Sequence, residues 1–114
     1  RVVLNLPNTV ADGAKVTVNR SVASNNVNNG FLAASGAGGF AEMNLEGAVA
    51  SNNGTNGVVT SGANAVIRVS NSTVTNNANG LNFSAGGQIL SYGSHRVAGN
   101  TIANGVPSGP AAEE

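Results

Sequence analysis

Apolar residues along this chain recur in short alternating pairs: Val16 and Val18, Met43 and Leu45, Ile67 and Val69, Leu90 and Tyr92. A period of two is the signature of a strand with one buried face. Each pair is followed by a related phrase: V-A-S-N-N-V-N-N-G from Val22, V-A-S-N-N-G-T-N-G from Val49, V-T-N-N-A-N-G from Val74 and V-A-G-N-T-I-A-N-G from Val97. After each phrase comes a third apolar group, at Phe31 and Leu32, Val58 and Val59, Leu81 and Phe83, and Val106. One period thus holds three short strands and three corners.

The valine anchors are spaced by 27, 25 and 23 residues and the glycines Gly30, Gly57, Gly80 and Gly105 by 27, 23 and 25, which one two-residue deletion in the third copy reconciles. Recurrence at this length marks a solenoid, in which equivalent residues of successive coils stack about 4.8 Å apart. The expected fold is all-β: a right-handed parallel β-helix of about four to five coils with three short strands per coil. The hand follows from the right-handed crossover rule. Val22, Val49, Val74 and Val97 are expected to form one inward ladder, and Val18, Leu45, Val69 and Tyr92 a second. Asn25, Asn52, Asn77 and Asn100 are expected to stack at a corner, their amides bonding between coils. The rival arrangement reads each Asn-Gly as a hairpin turn in an antiparallel sandwich, but hairpins need no fixed recurrence of the same phrase.

Composition sharpens the picture. Hydrophobic residues make up 40%, aromatic residues 4% and charged residues 9%, so the core is narrow and built from small aliphatic side chains. The 19 Asn and 16 Gly supply residues that tolerate left-handed corners and disfavour helix interiors. Five basic residues (Arg1, Lys15, Arg20, Arg68, Arg96) and five acidic ones (Asp12, Glu42, Glu46, Glu113, Glu114) are scattered and sum to zero. That removes the electrostatic drive toward nucleic acid or an anionic membrane. Absence of cysteine excludes disulfides and thiolate metal sites, and no apolar run reaches the length of a membrane span.

Through V-I-R-V-S-N-S-T-V-T-N-N-A-N-G-L and its neighbours, the chain resembles the right-handed parallel β-helix repeat proteins of the pectate-lyase-like superfamily, of the uncharacterised bacterial type, over roughly residues 15 to 105. The resemblance implies a secreted or cell-surface protein. It carries no single activity, since that superfamily holds lyases, hydrolases, epimerases, tailspikes and adhesins.

Candidate chemistry is sparse. His95, the sole histidine, lies in S-Y-G-S-H-R-V beside Arg96, at an expected exposed corner. It has no nearby acid for a triad, because Asp12 lies about three coils away and Glu42 and Glu46 two. Lyases of the resembling type use a basic residue and an acidic calcium cluster; the only basic candidates are His95, Arg96 and Arg68, and the acids are too few for calcium. No cofactor and no metal are expected. Glu42 and Glu46 flank Met43 and Leu45 and so face outward together with Asn44, a potential sugar-binding patch whose alternative is a plain solvated face. Arg68 and Arg20 are expected near Glu46 as cross-coil ion pairs. Thr17, Asn44, Arg68 and Ser91 form a further outward row, in which the bulk of Arg68 spoils a flat lattice. Sequons at Asn19, Asn53, Asn71 and Asn82 arise readily in so Asn-rich a chain.

The resulting expectation is a β-helix domain over residues 1–106 and a tail over 107–114, acting as a structural or binding module for glycan or for itself. The alternative is a lyase-like enzyme acting on acidic polysaccharide. R-V-V-L-N-L reads as the last strand of an incomplete coil without a capping helix, consistent with a piece of a longer solenoid or with end-to-end self-association. Two prolines in V-P-S-G-P-A-A-E-E are expected to stop strand addition and leave a loose tail after about Gly105.

Overall fold

The polypeptide winds into stacked coils because its alternating apolar pairs cannot bury their inner faces alone and its Asn and Gly corners turn the chain back every few residues. The computed structural model describes residues 1–6, 13–36 and 39–111. Its strands are β1 (Val2–Leu6), β2 (Ala14–Asn19), β3 (Val22–Ser24), β4 (Asn29–Ser35), β5 (Ala41–Glu46), β6 (Val49–Ser51), β7 (Asn56–Ser61), β8 (Ala65–Ser70), β9 (Ser72–Thr75), β10 (Asn79–Ser84), β11 (Gln88–Ser91), β12 (His95–Ala98) and β13 (Gly109–Pro110). They form three sheets, ordered β1-β4-β7-β10, β13-β11-β8-β5-β2 and β12-β9-β6-β3. Every strand pairing is parallel. The architecture is therefore a β-solenoid with three strands per coil: three complete turns flanked by partial coils, where four to five coils were expected. Among the described residues no helix is long and apolar enough to cross a membrane.

The inner ladders are apolar and nearly dry. Val16, Met43, Ile67 and Ile89 form one; Val18, Leu45 and Val69 form another; Val2, Phe31, Val58 and Leu81 form a third. Phe31, Met43, Val58, Ile67 and Ile89 are wholly buried. At about 25 cal/mol for each Å² removed from water, these rows are the main force stacking one coil on the next. Ala33 and Thr60 face inward in the same sheet, and Thr60 Oγ1 is buried with no hydrogen-bond partner among the described residues.

Two ladders differ from expectation by one residue. In β3, β6, β9 and β12 the register stacks Ala23, Ala50, Val74 and Val97 inward. Val22 and Val49 pair with each other and then with Thr73, so Val22 faces out, 66% exposed. The amide ladder is accordingly Asn26, Asn53, Asn77 and Asn100, not one through Asn25 and Asn52. The reason lies at the corner: Asn25, Asn52, Asn76 and Gly99 carry positive φ (59°, 55°, 57° and 70°), a left-handed step open to Asn and Gly. The residue after that step turns its amide inward. Correct alignment leaves one deleted residue, since Asn79 pairs with Asn56 while Asn77 bonds Asn53.

In the last coil the same slip recurs. Ser91, not Tyr92, pairs with Val69, and Leu90 pairs with Arg68. Hence Ile89 and Ser91 point inward, Tyr92 is exposed, and the outward row is Thr17, Asn44, Arg68 and Leu90. β1 does extend the sheet of β4 as a single strand of a further coil. Beyond Gly105 the chain does not simply loosen: β13 pairs with β11. The Ser108 N–H donates to Ile89 O and the Ala111 N–H to Ser91 O, so donors on either side of Pro110 make the bonds and its missing N–H is not called on.

Candidate functional site

Strand β5 carries the predicted patch. Met43 and Leu45 are buried, so Glu42, Asn44 and Glu46 project from the opposite face. Glu42 lies in register with Lys15 and Val66, Asn44 with Thr17 and Arg68, and Glu46 with Asn19 and Ser70. Glu42 is the charged centre: its Oε2 lies 3.4 Å from Arg68 Nη1 and 3.8 Å from Lys15 Nζ. Lys15 in turn sits over the Phe40 ring, 5.9 Å from its centroid, a cation–π contact. Arg68 thus pairs with Glu42 rather than with Glu46, because its outward position places it diagonally across from Glu42.

Glu46 has its own partners. Ser70 Oγ donates to its Oε2, and Asn71 Nδ2 donates to its Oε1 at 2.8 Å. These bonds, with the Ser70 hydroxyl foremost, hold its carboxyl below the usual glutamate range, helped by the charge of Arg20 and opposed by desolvation. Glu46 is thereby favoured as the carboxylate, and both side chains are oriented by their partners. The arrangement suits hydrogen bonding to hydroxyl-rich ligands.

The basic candidates do not assemble. Arg68 belongs to the five-stranded sheet and is engaged by Glu42, whereas His95 and Arg96 begin β12 in another sheet. His95 Nδ1 lies 2.5 Å from Ser91 Oγ, which also accepts the Gly93 N–H at 2.9 Å. The hydroxyl keeps a second lone pair and its hydrogen, so it can pair with the imidazole in either direction and hold the ring in place. Next to this pair is an open concavity of about 380 Å³ bounded by Asn71, Ser72, Thr73, Ser94, His95 and Arg96. Asp12, Glu113 and Glu114 lie outside the described residues. Among the described residues no group of three or more His, Cys, Asp and Glu side chains is placed to hold a metal.

Ser91 is the partner that sequence reasoning missed, because the one-residue phase error in the last coil turned it outward. The available signal was the S-Y-G-S-H spacing: Gly93 has φ of 96° and folds residue 95 back over residue 91.

Comparison of the chain with known protein families, with curated proteins and with solved structures finds no match.

Proposed function

We propose that this protein is a binding module of the pectate-lyase-like β-helix type, secreted or surface-borne in a bacterium, that presents the outer face of its five-stranded sheet to a glycan. The observation that carries the reading is the row Glu42, Asn44 and Glu46 on β5. Both carboxylates are oriented by neighbours in adjacent coils, on a sheet face whose repeat along the stacking direction is about 4.8 Å. Acceptors already oriented on a strand face engage sugar hydroxyls without large ordering cost.

The test is affinity electrophoresis and calorimetry with a panel of neutral and acidic polysaccharides. Retention by at least one polymer, lost in the triple variant E42Q/N44A/E46Q, is expected; no retention by any polymer, or retention unchanged in the variant, overturns the reading. The concavity at His95 and Arg96, with the imidazole held by Ser91 and an exposed guanidinium beside it, favours a lyase-like activity on acidic polysaccharide as the second reading. Following unsaturated uronate absorbance in the same mixtures separates the two: turnover abolished by Arg96→Ala supports the enzyme.

A further inference from the structure

Five Asn-Gly pairs punctuate the chain: Asn29-Gly30, Asn53-Gly54, Asn56-Gly57, Asn79-Gly80 and Asn104-Gly105. This dipeptide is the most prone to spontaneous loss of the side-chain amide, because a glycine nitrogen without a neighbouring Cβ has open access to the asparagine Cγ. The reaction needs three things: a glycine N–H not held by another acceptor, water at the amide, and stabilisation of the oxyanion that forms on Oδ1.

Four of the pairs lack at least one. The Gly54 N–H donates to Asn26 O and the Gly80 N–H to Ala103 O, both at 2.8 Å. Asn53 is only 3% exposed. Gly30 and Gly57 are buried inside β4 and β7, each packed against the neighbouring coil.

Asn104-Gly105 differs in its exposure and in its glycine N–H, although its backbone too lies close to the neighbouring coil, an added Cβ at Gly105 meeting Leu81 O. Both residues are exposed, the Gly105 N–H has no hydrogen-bond partner among the described residues, and Gly105 takes φ of 75°. Asn104 Oδ1 also receives two donors, the Asn100 N–H at 3.1 Å and Asn100 Nδ2 at 3.0 Å. Two N–H groups aimed at the oxygen where negative charge develops form a small oxyanion hole. We propose that Asn104 is a self-modifying position: the Asn100 donors polarise its side-chain amide, and the chain deamidates there ahead of its other Asn-Gly pairs.

In the reaction, the deprotonated Gly105 nitrogen attacks Asn104 Cγ, the Cγ–Nδ2 bond breaks and ammonia leaves with the proton, giving a succinimide. Water then opens the ring to aspartate or isoaspartate, so the sum is amide plus water to carboxylic acid plus ammonia. No oxidant or further reactant is involved. The product carries one more negative charge on a chain of formal net charge zero. In the isoaspartyl form the main chain runs through Cβ and Cγ, and the Asn104 carbonyl that accepts the Leu81 N–H at 2.9 Å becomes a free carboxylate outside the main chain, loosening the end of the amide ladder.

Incubating the full chain at mildly alkaline pH and mapping its peptides by mass spectrometry, with isoaspartyl methyltransferase labelling, tests the proposal. Folded protein is expected to convert at residue 104 at least about tenfold faster than at residues 29, 53, 56 or 79, with the preference collapsing in denaturant, where the oxyanion donors are lost. Asn104→Ser, which has no side-chain carbonyl for the Gly105 nitrogen to attack, is expected to show no isoaspartate label in that peptide. Equal rates at all five pairs in the folded protein, or an intact amide at 104 while another pair reacts, overturns it.

Discussion

At the scale of single residues, burial decides which polar atoms stabilise and which cost. Thr60 is fully buried, in register with the equally buried Ala33, and its Oγ1 has no partner among the described residues. A buried unpaired hydroxyl costs about 1–3 kcal/mol. Thr60→Val keeps the branched shape and is expected to raise unfolding stability by about 1 kcal/mol, read from the midpoint of a denaturant curve. A loss of stability would mean that the hydroxyl has a partner, such as a bound water. The β-branched inward position was visible in the sequence as one member of an alternating strand; its lack of a partner was not, because that depends on which backbone atoms the next coil brings opposite.

At the scale of elements, the coil corner is the unit that sets register. Each ladder asparagine bonds in both directions: Asn53 Nδ2 donates to Ala23 O at 3.0 Å and to Asn77 Oδ1 at 2.8 Å, while its own Oδ1 accepts from Asn26 N and Nδ2. Asn77 repeats the pattern toward Ala50 and Asn100. Asn53→Ala strands several of these groups at once and is expected to cost about 3 kcal/mol or more. Asn52, one position earlier, supplies only the left-handed step, so Asn52→Gly is expected to change stability by less than about 1 kcal/mol. Comparing the two variants by urea unfolding checks the register directly; equal losses would place Asn52 in the ladder after all. Two adjacent asparagines in three of the four phrases made the corner legible from the sequence and its phase ambiguous, because Asn suits both roles; the Gly99-Asn100 pair of the fourth was the one signal of which position takes the left-handed step.

For the molecule as a whole, charge is scarce, so a few carboxylates govern acid stability. Glu46 has a depressed pKa, chiefly through its bond from Ser70. A group depressed in the folded state binds fewer protons there than in the unfolded chain. Its stabilisation is therefore fully present above the ordinary glutamate range and is lost as pH falls through the lower folded value. Glu46→Gln removes that dependence. The thermal midpoint of the parent protein is expected to fall more steeply on acidification than that of the variant, and parallel curves would show that the Ser70 and Asn71 bonds do not distinguish the two protonation states.

What the sequence determined by itself was the architecture: three strands per coil, parallel stacking, aliphatic inner rows and Asn-rich corners all follow from a repeated alternation that only stacked coils can bury. It also placed Glu42, Asn44 and Glu46 together on one outward face, since a period of two leaves no other choice once Met43 and Leu45 are inside. Tertiary structure decided the phase within each coil, because a left-handed corner residue shifts every later side chain by one position and sequence similarity cannot tell which of two neighbouring asparagines takes that step. The same one-residue shift turned Ser91 inward onto His95 and sent Tyr92 and Val22 to the surface, whereas Arg68 keeps the expected register with Asn44 and its side-chain direction selects Glu42 over Glu46. The Ser91–His95 and Glu42–Arg68 contacts join residues 4 and 26 positions apart, and only the folded coil sets them.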